Sequence, residues 1–330
     1  MPGLCPKVLG MTKIKTFFAS AIALALTVSL GATASVASDG ASPLSGLPGG
    51  AGKPVIMVKI DNVGPARPHT NISKADIVYV EQVEGGLTRI AALYNSSFPT
   101  KVGPVRSARI SDLEILEQFD KPGFAYSGAN KALLKTIAKA PLVRMGPGLN
   151  GVRYSRDKSR RIPHNLMLDL SASVKRAKGI GAVKDIGLTF SETAPAGGKA
   201  TNTFKAQWPA SSVSGKWNGS GWAIALDNRA QKDKATGKAV VAQTVVVQLV
   251  TQTLSGQGDK FGGRTPKIKT VGSGKAFILR DGQRYDAEWS RPSGGSGTAF
   301  TVSGAPLPFD IGQAWILLVP NDSKGKYSFK

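Results

Sequence analysis

Cysteine is almost absent from this chain. Cys5 is the only one in 330 residues, and it precedes a segment that reads as a removable leader. The mature chain is therefore expected to lack both disulfide and thiol chemistry, which excludes thiolate catalysis, cysteine–zinc sites and iron–sulfur clusters. Histidine is nearly as scarce: His69 and His164 are the two, each beside a proline and neither in a His-x-x-x-His spacing. A zinc site from two histidines and a carboxylate requires them to meet in space, and a lone histidine more often hydrogen-bonds nearby backbone, so neither a metal nor a cofactor is expected. A Gly-x-Ser-x-Gly elbow, a His-Glu-x-x-His helix and a Walker loop are all missing. So is any apolar run near the roughly 20 residues that a membrane-spanning helix needs.

The longest apolar run, Phe17 to Leu30, follows the basic residues Lys13 and Lys15 and leads to Ala32-Thr33-Ala34 and Ser35-Val36-Ala37. Small residues at the −3 and −1 positions make either triplet a cleavage site, so residues 1–37 read as a secretory signal peptide. Met11 stands just before the basic residues as a second candidate start. No cysteine follows the apolar run, so a lipid attachment site is not encoded.

Acidic side chains are also in short supply. Lys and Arg number 43 against 21 Asp and Glu, a net charge of +22 that becomes +19 once Lys7, Lys13 and Lys15 leave with the leader. The excess is spread over both halves. Outside a cell such a field holds a protein near anionic wall polymers or lipid head groups and weakens with salt, while intracellular nucleic acid is not an expected partner. Net charge alone locates no site, and a merely high-pI exported protein has the same composition.

What is present is a sequence of two characters. Residues 38–53, rich in Gly, Ser, Ala and Pro, read as a flexible spacer. Val55–Ile60, Ile77–Val80 and Leu87–Tyr94 read as strands, and helices are expected around Leu113–Phe119, Leu133–Ala138 and residues 170–178, the first opened by a Ser111-x-x-Glu114 capping box. Residues 54–185 are thus expected to form an N-terminal domain with a mixed sheet and helices. Residues 186–203 read as a linker. Residues 204–330, with all five Trp, a β-branched run over 240–250 and an Asp281-Gly282 hairpin turn, read as a smaller, mostly β domain. The fold class expected is α/β (α+β).

Charge is densest where a packed core has least use for it. Val58-Lys59-Ile60-Asp61-Asn62 sets two charges in an apolar strand, and Arg67-Pro68-His69, Glu81, Glu84 and Arg89 follow. Gly103-Pro104-Val105-Arg106-Ser107-Ala108-Arg109 leads into the first helix, where Arg106, Arg109 and the Ser107 hydroxyl are placed to hold a phosphate or carboxylate. The alternative is that both arginines pair with Glu81 and Glu84. Those two carboxylates and His164 are the candidates for acid–base work, with a structural ion-pair network as the competing reading. A basic stretch from Arg153 to Arg161, closed by Pro163-His164-Asn165, offers Arg153, Arg161 and Asn165 as further ligand contacts, or a solvated loop. The five Trp read as core.

The combination of Ala75-Asp76-Ile77-Val78-Tyr79, Val83-Glu84-Gly85-Gly86-Leu87-Thr88-Arg89, Gly103–Arg109 and Pro163-His164-Asn165 resembles the YerB-like family of exported bacterial proteins, over nearly all of residues 45–325. In the second half the resemblance rests on Asp233–Gly237, Val245–Gln248 and Gly312–Ile316. It implies an exported two-domain α/β protein of a bacterium and no established enzyme activity, so no catalytic role is carried over. The chain departs from the lipoprotein members in having no lipid-attachment cysteine, which favours release into the wall or medium, and in having His69 where many members carry Gln. Together these readings give an exported cell-envelope protein that binds an anionic envelope ligand through Arg89, Arg106, Ser107, Arg109, Arg153, Arg161 and Asn165. The alternative is a hydrolase or transferase acting on an anionic glycan or phosphodiester.

Overall fold

The computed structural model describes residues 40–258 and 263–330; the expected signal peptide lies outside them. The first three strands are β1 (Ile56–Asp61), β2 (Ile77–Gln82) and β3 (Thr88–Tyr94), and every residue in them is buried. Continuous rather than alternating apolar sequence is what a sheet covered on both faces requires. On one face Ile56, Val58, Val80 and Ile90 meet Trp208, Val213 and Trp222 of a separate six-stranded sheet. On the other, Met57, Ile77, Tyr79 and Leu93 meet helices α1 (Ile110–Leu116) and α2 (Lys131–Lys139).

Among the described residues the main sheet has thirteen strands. Its middle runs in the order Thr244–Gly258, Ala314–Pro320, β2, β3, β1, then β4 (Gly123–Ala125) and β5 (Val143–Arg144). Ala314–Pro320 is parallel to both of its neighbours, β3 is antiparallel to β2 and to β1 on either side of it, and β4 is parallel to β1. A hairpin of β6 (Arg153–Arg156) and β7 (Leu166–Asp169) leads into α3 (Leu170–Arg176). The mixed sheet with helices expected of the first half is there, but the molecule as a whole is mostly β, with three short α-helices among the described residues. The halves share one sheet because Ala314–Pro320 is buried and apolar along its whole length and so needs a strand on each side. β2 supplies one of them.

Local expectations met different fates. The Asp281-Gly282 turn joins Gly272–Arg280 to Gln283–Arg291 with both turn residues at positive φ, as a two-residue hairpin demands. The Ser111 capping box is not the one used. α1 starts two residues earlier, after Arg109, whose N–H donates to Asp112 Oδ2 at 2.6 Å. Glu114 instead accepts from the Thr270 and Val271 backbone, and Ser111 Oγ from Ile268 N–H. Residues 40–53, expected as a flexible spacer, pack onto the sheet: Leu44 is fully buried and Ser45 Oγ donates to Asp76. The segment 186–203, expected as a linker, lies against the fold, with Phe190 edge-on to Phe309 and Lys199–Ala200 paired to Gln283 and Arg284. Trp208, Trp222, Trp289 and Trp315 are core residues.

Candidate functional site

On the helix-covered face, one row across three strands reads Asp61, Arg89, Glu81: Asp61 pairs with Arg89 on β3, and Arg89 with Glu81 on β2. The next row in is Lys59, Ala91, Tyr79. Ala91 is small, so Lys59 can reach diagonally to Glu81. Both are fully buried, and Lys59 Nζ also donates to Asp112 Oδ1 of α1 at 2.7 Å. Burial pushes the Glu81 carboxyl up to about 7, against the pull of Lys59 and with a further push from Asp112. Glu81, expected as a candidate base, is sealed inside this triad, fully buried against Lys59.

Asp61 is equally buried but differently surrounded. Gly103–Arg109 runs beside β1 beyond the end of β4, with Asp61 N–H donating to Pro104 O and Arg106 N–H to Lys59 O. Gly103 makes this possible: its φ is 144°, and a Cβ there would lie 2.9 Å from Leu166 O. Arg106 Nε therefore ends 3.2 Å from Asp61 Oδ2. Arg89 Nη1 is 3.5 Å from Oδ1. The loop between β6 and β7 brings His164, whose Nδ1–H donates to Asp61 Oδ2 at 2.7 Å. His69 approaches from the backbone side. Burial pushes its imidazole down to about 4, and its Nε2–H donates to the Asp61 carbonyl at 2.7 Å. Both histidines thus meet at Asp61, but the His69 nitrogen that faces it is already spent. Among the described residues no group of three or more His, Asp or Glu is placed to hold a metal.

These residues open onto a cavity of about 770 Å³ lined by Arg89, Arg106, Ser107, Arg109 and His164, with Glu84 and Thr265 at one side. Glu84 accepts from Arg109 Nε and Nη2 at 2.9 and 2.6 Å and from Thr265 Oγ1. Burial raises its carboxyl, but these bonds outweigh it and hold the group below the ordinary range. Glu84 is thereby fixed as a partner of Arg109 and is no free base. Arg106 is not paired with Glu81 or Glu84, as the competing reading had it; its partner is Asp61. Its side chain makes no hydrogen bond among the described residues.

Three expected ligand residues are not brought to the cavity. Arg153 and Arg161 are exposed away from its lining. Asn165 is buried, its Oδ1 accepting from Arg156 Nη1 at 2.7 Å and its Nδ2 donating to Arg160 O at 3.2 Å, so its amide braces the loop that carries His164. Conversely, Asp61, Lys59 and Asp112 were not singled out as site residues. Lys59 and Asp61 had a signal, since both interrupt an apolar strand; Asp112 had none, because only packing of α1 on the sheet aims it at Lys59.

Residues 44–182 match the N-terminal domain, and residues 204–316 the C-terminal domain, of the protein family of unknown function DUF3048. The chain is similar to "Putative lipoprotein YerB" of Bacillus subtilis (strain 168), 26% identical over 281 residues that span 82% of each chain. The crystal structure of YerB protein from Bacillus subtilis superposes with a TM-score of 0.73 at 25% identity, covering 87% of this chain and 99% of that one.

Proposed function

The chain belongs to the YerB-like family, whose two domains are of unknown function, and from that premise we propose that it is an extracytoplasmic cell-envelope protein that binds an anionic group in the Arg89–Arg106–Arg109–His164 cavity. One observation carries the reading. Arg89 Nε and Arg106 Nε, on two lining residues, and Asp61 Oδ1 next to them are buried without a hydrogen bond among the described residues, facing one another only through ion pairs of 3.2 and 3.5 Å. Buried polar atoms are nearly always paired, so such a cluster marks a place where a ligand or water completes the set. Three arginines face two carboxylates there, and the guanidinium geometry suits the oxygens of a phosphate or carboxylate. The leader expected from residues 1–37 and the lipoprotein name of the relative support an extracytoplasmic address. Among the described residues no helix is long and apolar enough to cross a membrane.

Inorganic phosphate tests the reading. It should raise the melting temperature of the parent and leave that of Arg106→Ala unchanged, because a ligand stabilises only the state that binds it. An equal rise in both proteins would refute the site.

A second reading, a hydrolase or transferase, rests on the Asp61–His164 pair. A carboxylate on Nδ1–H fixes the tautomer and leaves Nε2 as the basic nitrogen, and His164 lines the cavity. Turnover of bis-p-nitrophenyl phosphate by the parent, lost in His164→Gln, would support it. No turnover would leave the binding reading alone.

A further inference from the structure

The same cavity has a second chemical character. Val63, Val83, Leu87, Ala129, Leu133 and Pro163 form much of its wall. A bare oxyanion has no use for such a wall, and about 770 Å³ is room for a ligand of many more atoms. The surface around it points the same way. Among the described residues five large hydrophobic side chains are exposed: Leu87, Leu134, Ile162, Leu254 and Tyr327. Leu87 lines the cavity. Ile162, 69% exposed, precedes the lining residue Pro163, and Leu134 follows the lining residue Leu133. Leu254 pairs across its hairpin with Pro266, next to the lining residue Thr265. Exposed aliphatic residues scattered singly mean little, but Leu87 lines this polar pocket and Leu134 and Ile162 directly neighbour lining residues along the chain, which is the pattern of an interaction surface.

We infer that the ligand is amphiphilic: a phosphate ester whose head sits on Arg89, Arg106 and His164 and whose aliphatic chain leaves along Leu87 and Leu133 past Ile162. This rests on the anion-binding reading and names its ligand class as a lipid phosphate. The basic balance of the chain favours approach to a membrane carrying such lipids, and the apolar rim would then enter the head-group region instead of facing water.

The test compares heads with and without tails on the full chain. Glycerol phosphate and dihexanoyl phosphatidic acid, the latter below its micelle concentration, are titrated by thermal shift. Binding to phosphatidylcholine vesicles with and without phosphatidic acid is followed by flotation. The tailed probe should half-saturate at a concentration at least about tenfold lower, since each methylene taken out of water strengthens binding about fourfold. Leu87→Ser and Ile162→Ser should abolish that advantage, while Arg106→Ala should weaken both probes. Equal affinity for the two probes, unaffected by the rim variants, would overturn the lipid assignment and leave the anion site standing. Vesicle binding that ignores all three variants would also overturn it, as charge attraction alone explains that result. If neither probe binds, both readings fall.

Discussion

Lys59 and Asp61 stand two residues apart on one strand, on the same face, and both are fully buried. Their surroundings differ in one respect. Lys59 is enclosed by Glu81 and Asp112, a cation between two anions. Asp61 is an anion among Arg89, Arg106 and His164, and each of those three lines the cavity. Burial of a charge therefore says little about its purpose. What separates a brace from a site is whether the partners reach open space: Arg89, Arg106 and His164 line the cavity, whereas Glu81 and Asp112 are not among its lining residues. The Lys59 cluster holds α1 to the sheet, whereas the Asp61 cluster holds two arginines and a histidine that line the cavity.

Breaking the closed cluster should cost most. Lys59→Met leaves two carboxylates buried side by side, and a loss of about 3–5 kcal/mol is expected in urea denaturation. A loss under about 1 kcal/mol, the scale of an exposed pair, would mean that the triad is hydrated after all.

The next effect concerns the support behind Asp61. His69 has its folded-state pKa lowered from 6.5 to about 4 by burial, so between those values the unfolded chain binds more protons than the folded one. Its contribution is fully present above the unfolded value and is lost as pH falls towards the folded one, by up to about 3 kcal/mol. His69→Gln keeps an N–H for the Asp61 carbonyl but does not titrate. Denaturation of parent and variant across this acid range should show a steeper fall for the parent, and parallel curves would contradict the assignment.

Asp61→Asn sharpens the contrast with Lys59. The arginines it releases can turn into the cavity and be solvated, so the cost should be smaller, about 1–3 kcal/mol. A cost equal to that of Lys59→Met would erase the distinction between the two clusters. Smallest of all should be Arg106→Ala. Asp61 keeps Arg89 and His164, and the Arg106 side chain is 26% exposed, so about 1 kcal/mol or less is expected for the apo protein by calorimetry. A larger loss would place Arg106 with the braces.

Much of the strand and helix inventory was legible, because Val55–Ile60 and Ile77–Val80 are apolar without interruption by turn residues and Leu133, Leu134, Ile137 and Ala138 recur at helical spacing. The site was half legible. Arg89, Arg106, Ser107, Arg109 and His164 were named from local density of charge and do line one cavity, while Glu81 and Glu84 looked equally available and are not. Asn165 shows why: a polar side chain in a basic loop can face the ligand or the loop's own backbone, and only the three-dimensional path of residues 156–165 decides between them.

Composition and local pattern by themselves determined the family resemblance, the mostly buried strands, the helix positions and the excess of cations, since these depend on residue type and on spacing along the chain. Which charge neutralises which was decided by tertiary structure alone. Ala91 lets Lys59 cross to Glu81, Gly103 lets the arginine segment lie beside β1, and the 153–169 hairpin carries His164 to Asp61. The physical reason is range. A backbone preference acts over a few residues, whereas the contact between His164 and Asp61 spans 103 positions and exists only because the segments between them pack.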